Sequence, residues 1–310
     1  MIKQEDEIIA GSEIYRWLGD PEVKEINIAH PDLIGRLYRP GDKDNVPGAL
    51  VLHGSEPSPA DSLAYMLASN GIAAMAIQYF GMEPELSDDL VEVPLEYIEE
   101  AGEWLLGNDW IKGDQIGIIG NSRGGELALL AASYFDIFGS TVAMVGSGLV
   151  YEGIAKGAIS PGSAWSYQGE PVDYISYSRD YEVIPSGPIQ ELEPYYSASY
   201  EEAEQNKIED ATIPVENIDG PILMVSGADD KMWNSVELLK PAERRLEEND
   251  HHYEVEHLIF ENAGHAISFP YLPTANLEVL GAYYMGGSQE GYARADADHW
   301  PEVLNTLRGE

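Results

Sequence analysis

Gln115-Ile116-Gly117-Ile118-Ile119-Gly120-Asn121-Ser122-Arg123-Gly124-Gly125-Glu126-Leu127-Ala128-Leu129-Leu130 carries a strand, a turn and a helix in sixteen residues. Ile116 to Ile119 is a short apolar run of the kind that forms a strand buried on both faces. Gly120-Asn121-Ser122-Arg123-Gly124 fits G-x-S-x-G, the nucleophile elbow between a strand and a helix. Glu126 to Ala132 is rich in Ala and Leu and reads as that helix. The spacing has a chemical reason. A serine that attacks a carbonyl must stand at the apex of a sharp, strained turn. The residues two before and two after it then pack closely and must be small, which Gly120 and Gly124 satisfy. The helix behind the turn aims its positive end at the place where an oxyanion forms. The motif alone is common; the flanking strand and helix make it specific. The bland alternative is an ordinary strand–turn–helix with a turn serine.

On either side of the elbow, the alternation of short apolar runs and helical stretches is regular. Ala49 to Leu52 reads as a buried strand running into His53-Gly54-Ser55-Glu56. Asp61 to Ser69 reads as a helix capped by Asp61 or Ser58 and ended by Asn70-Gly71. Ile72 to Tyr79 is the next strand, and Pro94 opens a helix through Leu106. After the elbow, Gly124 to Tyr134 is its helix and Thr141 to Val145 a further strand. Repeated strand–helix–strand order predicts an α/β fold, a mostly parallel central sheet with helices on both faces. Before it, Val23 to Ile28 and Leu33 to Tyr38 alternate around His30-Pro31-Asp32 and read as an antiparallel hairpin. Residues 1–46 are thus an N-terminal extension and hairpin on one domain spanning 1–310.

From Val150 to about Asn206 the rhythm breaks into a Tyr-, Gly-, Pro- and Ser-rich stretch too long for a plain connection. It reads as a lid or cap over the carboxyl ends of the strands, residues 150–206. Its tyrosines either face an apolar substrate or pack the excursion onto the sheet. The rhythm resumes with strand Ile222 to Ser226, then a helix capped by Asn234 or Ser235 and running to about Glu248. Glu254 to Phe260 is the last strand and Ala293 to Leu307 the final helix.

A serine nucleophile needs a base, and the base needs an orienting acid. In an α/β-hydrolase these follow the serine in the order acid, then histidine, each at a strand's carboxyl end. His251 and His252 sit in a charged turn, His257 lies inside a strand, and His299 is on the last helix. His265, in Asn262-Ala263-Gly264-His265 after the last strand, is left as the base. The strand Ile222 to Ser226 ends in Gly227-Ala228-Asp229-Asp230. Adjacent aspartates point different ways, and Asp230 is the choice for the acid, with Asp229 a turn or capping residue. The oxyanion hole needs two backbone N–H donors: Arg123, and Ser55 or its neighbour Glu56 in the loop after Leu52. His53 reads as structural. His251, His252 and His257 suit no common metal geometry, and Asp296, Asp298 and His299 read as a solvated helix face. No phosphate loop or dinucleotide fingerprint is present, so no cofactor is expected.

Composition narrows the partners. Seventeen basic residues against 55 acidic ones give a net charge of −38, dispersed through the chain. Nucleic acid and anionic membrane surfaces are excluded as partners on that balance. Dispersed carboxylates with few lysines point to a surface kept hydrated in high salt, a halophilic protein. The alternative is a merely acidic protein. The chain has no cysteine, which excludes thiolate catalysis and Cys-bound zinc. Met1 to Ile9 is too charged for a signal peptide, and no apolar run approaches the ~18 residues of a membrane span. A soluble, cytoplasmic protein is expected.

Leu95-Glu96-Tyr97-Ile98-Glu99-Glu100-Ala101 and Ile116 through Leu129 resemble the catalytic domain of acyl-CoA thioesterases and bile acid-CoA:amino acid N-acyltransferases. Gly220-Pro221-Ile222-Leu223-Met224-Val225-Ser226-Gly227-Ala228-Asp229-Asp230-Lys231-Met232-Trp233 is similar to that family's acid strand, and Ala263-Gly264-His265 with Pro270-Tyr271 to its histidine loop. The likeness runs from about Pro47 to the end of the chain. It implies Ser122 as nucleophile, Asp230 as acid and His265 as base, acting on a small-molecule acyl ester or thioester. Acyltransferase members typically carry a cysteine nucleophile; the serine here implies transfer to water rather than to an amine. Two departures stand out. The stretch before the first core strand is too short for the β-sandwich domain of animal members, and His53-Gly54-Ser55-Glu56 differs from the family's glycine-rich loop. The dienelactone hydrolase group shares the fold, which keeps a carboxylesterase open as an alternative to a thioesterase. A hydrolase-fold binding protein without catalysis is the alternative of another class.

Overall fold

The computed structural model describes residues 2–4, 7–10, 18–81, 83, 86–155, 161–179 and 189–309. Eight strands form its main sheet. In chain order they are β1 (Lys24–Asn27), β2 (Ile34–Arg39), β3 (Gly48–Leu52) and β4 (Ala73–Gln78). Then come β5 (Ile116–Asn121), β6 (Phe138–Met144), β7 (Ile222–Gly227) and β8 (Val255–Phe260). Their spatial order is β8-β7-β6-β5-β3-β4-β2-β1. β2 runs antiparallel to both β1 and β4. Every other neighbouring pair is parallel. This is the α/β-hydrolase fold, with the expected hairpin at its antiparallel edge.

Helices cover both faces, as the mostly apolar and almost fully buried central strands require. They are α1 (Asp61–Ser69), α2 (Leu95–Leu106), α3 (Arg123–Tyr134), α4 (Glu193–Glu202), α5 (Gln205–Ala211), α6 (Ser235–Glu248) and α7 (Gln289–Arg308). Successive strand residues point to opposite faces, and the two cores divide accordingly. Leu50, Leu52, Ile118 and Met224 pack with Ile98 of α2, Leu127 of α3 and Leu239 of α6. Ala49, Val51, Ile119 and Val225 pack with Leu67 of α1 and Val303 of α7. Each site-bearing strand is thereby fixed from both sides, and its carboxyl end is presented on one edge of the sheet.

Some expectations shift. β5 runs on to Asn121, and β6 starts at Phe138 rather than Thr141. Neither Asp61 nor Ser58 caps α1: Ala60 occupies the cap and no side chain bonds there. Asp61 instead pairs with the Arg36 guanidinium and accepts from the Tyr38 hydroxyl at 3.1 Å, which draws the carboxylate away from the helix end. α7 begins at Gln289, because Ser288 accepts from the Gly291 N–H at 3.0 Å and caps it there. Asn234 caps α6.

The 150–206 excursion is more ordered than its composition suggests. It contains the short strands Trp165–Tyr167 and Glu170–Pro171 and helix α4. Its residues 156–160 and 180–188 lie outside the described residues. Tyr151, Tyr177 and Tyr196 gather edge-to-face and stacked around Trp233 in a buried cluster. Tyr151 and Tyr177 take the packing role, while Tyr196 both packs here and lines the cavity beside Ser122.

Candidate active site

Ser122 sits between β5 and α3 with φ 57° and ψ −121°. A non-glycine residue with such a backbone stores on the order of 1–3 kcal/mol of strain and persists only where its surroundings enforce it. Here the Ser122 N–H donates to Met144 O at 2.9 Å and its carbonyl accepts from Glu126 N at 3.1 Å. The flanking glycines make the turn possible. A β-carbon on Gly120 would lie 1.9 Å from Gly124 O, and one on Gly124 would lie 2.2 Å from His53 O. Gly120 is therefore small because of Gly124, as expected, while Gly124 is small because β3's loop passes over it.

Ser122, His265 and Asp230 form one hydrogen-bonded chain. His265 Nε2 lies 2.9 Å from Ser122 Oγ, and its Nδ1 lies 2.9 Å from Asp230 Oδ2. Asp230 is buried and accepts from the backbone N–H groups of Met232 at 2.9 Å and Trp233 at 3.2 Å. Burial alone would raise its pKa. The attraction of His265 and these hydrogen bonds outweigh burial and hold the carboxyl below its ordinary value. Asp229 points elsewhere: Oδ2 accepts from Gly287 N–H at 2.9 Å and Oδ1 faces Lys231 Nζ at 3.3 Å. The other histidines stand apart. His257 bridges Glu243 and Ser226 at 2.8 Å each, and His251 faces Gly220 O at 3.3 Å.

The chain opens into a cavity of about 660 Å³. Leu63, Phe269, Leu272, Leu277 and Met285 supply apolar wall, and Ser55, Glu56, Asp61 and Asp296 supply polar lining. Arg123 begins α3, where amide groups lack an intrahelical acceptor. Its side chain is wholly buried. It pairs with Glu126 at 2.9 Å and donates to Tyr151 O at 3.2 Å, tying the excursion to the elbow helix. Burial pushes the Glu126 carboxyl up to about 7, against the pull of Arg123. His53 packs face to face with Tyr79, ring centroids 4.0 Å apart, and the Tyr79 hydroxyl donates to His53 O. Burial lowers His53 to about 4, so the ring is neutral and structural.

Sequence reasoning missed a second set of groups. Asp296 and His299 are not on a solvated face: they are 2% and 0% exposed, and only Asp298 of that trio faces water. Asp296 Oδ1 accepts from Ser268 N–H at 2.8 Å, and His299 Nε2 donates to Ser268 O at 2.7 Å. The available signal was spacing, since both fall on the α7 stripe that also carries Tyr292, Ala295 and Val303. His30, Asp32 and Glu100 each bring a potential metal-ligand atom within 4.8 Å of the others. This group is at the surface and internally satisfied, His30 Nδ1 accepting from Asp32 N–H at 3.3 Å and Nε2 facing Glu100 at 3.5 Å.

The chain resembles known proteins in sequence and in shape. The family model "BAAT / Acyl-CoA thioester hydrolase C terminal" matches residues 93–309. Human acyl-coenzyme A thioesterase 6 is 30% identical over 276 residues, covering 86% of this chain and 61% of that protein. Mouse acyl-coenzyme A amino acid N-acyltransferase 1 is 29% identical over 306 residues, covering 96% of this chain and 68% of that protein. The chain thus spans 61% and 66% of human acyl-coenzyme A thioesterases 6 and 1. Among solved structures, a Pyrococcus horikoshii acylaminoacyl peptidase superposes with a TM-score of 0.58 at 14% identity, covering 94% of this chain and 42% of that one. A dienelactone hydrolase-like promiscuous phosphotriesterase from metagenomic libraries gives 0.52 at 18% identity, covering 89% and 91%. These structural likenesses establish the fold, and the family match extends it to lineage. With the elbow, the acid strand and the histidine loop all in place, the chain belongs to the BAAT / acyl-CoA thioester hydrolase C-terminal family.

Proposed function

We propose that this protein is a serine hydrolase that cleaves acyl thioesters, acyl-CoA foremost, through an acyl-enzyme. The observation that carries the reading is the unbroken chain Ser122–His265–Asp230, with 2.9 Å at both links, opening into a partly apolar cavity. Ser122 Oγ attacks the carbonyl carbon. His265 Nε2 takes the hydroxyl proton and passes it to the departing thiolate. Asp230 holds the Nδ1–H tautomer and stabilises the imidazolium. Arg123 N–H and Ser55 N–H receive the oxyanion. Water then attacks the acyl-enzyme with His265 as base, releasing the acid and restoring Ser122. One domain spans the chain, residues 150–206 act as a lid, and the protein works in the cytoplasm of a halophile.

A second reading, a carboxylesterase, is favoured by the charge of the cavity. Of its carboxylates, Glu56 is exposed, Asp61 is paired with Arg36 and Asp296 is buried, while Arg123 is buried against Glu126. No free cation lines it among the described residues, and Glu56 repels the phosphates of CoA unless salt screens it. A panel of acyl-CoA, p-nitrophenyl ester and lactone substrates separates the readings. Higher kcat/KM on acyl-CoA in molar salt supports the thioesterase. Turnover of neutral esters alone assigns an esterase, and transfer to an amino acid in place of water assigns an acyltransferase.

A further inference from the structure

α7 reaches the histidine loop through three side chains on one face. Tyr292, Asp296 and His299 stand at i, i+4 and i+7, the spacing that aligns side chains along a helix. Each bonds to the main chain just after His265. Tyr292 Oη accepts from Ala266 N–H at 3.3 Å and donates to Gly286 O at 2.8 Å. Asp296 accepts from the N–H of Ser268, and His299 donates to its C=O. Both main-chain groups of one residue are thus gripped by side chains a single helical turn apart. From the opposite side, Asn121 Nδ2 in the elbow donates to Ile267 O at 3.3 Å. The His265 N–H itself donates to Met285 O at 2.8 Å.

This arrangement is costly unless it does something. A buried carboxyl and a buried imidazole each lose hydration, and His299 Nδ1 is left without a partner. An apolar α7 face would pack against the sheet without that penalty. What the polar groups add is direction: they fix a loop that has no ladder of its own.

We propose that Asp296 and His299, with Tyr292, are positioning residues for His265. They fix the backbone of residues 266–268, and through it the line from the imidazole to Ser122 and Asp230. The proposal rests on the reading of His265 as the base.

The test compares truncating and conservative variants in molar potassium chloride, with folding checked by circular dichroism. Asp296→Ala and His299→Leu remove the grip on Ser268. Asp296→Asn keeps an acceptor and His299→Gln keeps a donor. A misplacement of about 1 Å costs on the order of 10²-fold in rate. The truncations should therefore lower kcat by roughly 10- to 100-fold with KM within about threefold. The conservative pair should recover most of that loss. The low-field proton resonance of the His265–Asp230 hydrogen bond should be present in wild type and in the conservative pair, and broadened or absent in the truncations. Folded truncations with wild-type kcat overturn the proposal. So does a rise in KM at constant kcat, which marks a substrate contact, and so do conservative variants no better than the truncations. If the truncations do not fold, Tyr292→Phe decides: it removes only the hydroxyl, and a wild-type kcat overturns the proposal where a several-fold loss supports it. Ser122→Ala runs in parallel. If it keeps turnover, the hydrolase reading has failed; if it is inactive while the α7 variants match wild type, only the positioning role has failed.

Discussion

The carbonyl oxygen of His53 occupies the space that a side chain on Gly124 would need: a β-carbon there would lie 2.2 Å from it. The loop after β3, which carries Ser55, is therefore seated directly on the elbow that carries Ser122. Gly124→Ala should force the two apart. Because the obstacle is main chain and not a flexible side-chain tip, a loss of roughly 3 kcal/mol or more is expected. Urea unfolding measures it. A variant as stable and active as wild type would show that the elbow tolerates a wider turn than the geometry allows.

Asp229 and Asp230 are neighbours with separate partners, Gly287 N–H and Lys231 for the first, His265 for the second. Asp230→Asn should lower kcat by about 10³-fold or more, since an amide presents the wrong partner to Nδ1–H. Asp229→Asn should change the melting temperature with kcat within a few-fold. Steady-state kinetics on both variants checks this, and exchanged phenotypes would assign the acid to Asp229.

Four buried groups whose values burial shifts strongly bear on the pH dependence of stability. His53 and His299 are lowered by burial to about 4. Their stabilising contribution is complete above the unfolded value of 6.5 and is lost as pH falls through about 4. Asp296 is raised by burial to about 6, so its contribution has the opposite sign: complete below 3.8 and lost as pH rises through about 6. Glu126, raised by burial to about 7, has the same sign as Asp296, so two histidines oppose two carboxyls and their contributions largely cancel between pH 6.5 and 4. Each histidine alone lowers stability by roughly 3 kcal/mol over that range. His299→Gln should therefore tilt the balance toward stability at low pH, while Asp296→Asn should tilt it the other way. Melting temperatures of the two variants across that range test the signs.

The legible part of this molecule was what apolar periodicity encodes. The central strands announce themselves because both faces are covered and nearly every residue is apolar or glycine, and the elbow because glycine is required where β-carbons would strike main chain. Asp230 and His265 followed from chain order at strand ends. The α7 clamp was not legible in the same way. Asp296 and His299 are polar residues on a buried stripe, and charge is ordinarily a sign of solvent; only the partners on Ser268, distant in sequence, reverse that reading. The tyrosine-rich excursion hid for a related reason: its order comes from aromatic contacts across Tyr151, Tyr177, Tyr196 and Trp233 and from the buried Glu152 carboxylate paired with the exposed Arg179, none of which has a period.

The charge of −38 predicts how salt acts. Carboxylates repel at low ionic strength, and the screening length falls from ~10 Å at 0.1 M to ~3 Å at 1 M. The melting temperature should rise with potassium chloride through the molar range, and a temperature flat across it would refute the halophile reading. KM for acyl-CoA should fall over the same range while KM for a neutral p-nitrophenyl ester stays level, because only the former carries phosphates past the exposed Glu56 into a protein of strongly negative charge.

If Ser122 is the nucleophile of a hydrolase, an active-site-directed phosphonate followed by peptide mass spectrometry should find one phosphonylated residue, Ser122, and labelling should abolish activity. A Ser122→Ala variant measured beside it should be at least ~10³-fold slower and unlabelled. Labelling at another serine, or a folded Ser122→Ala variant with wild-type turnover, would contradict that role.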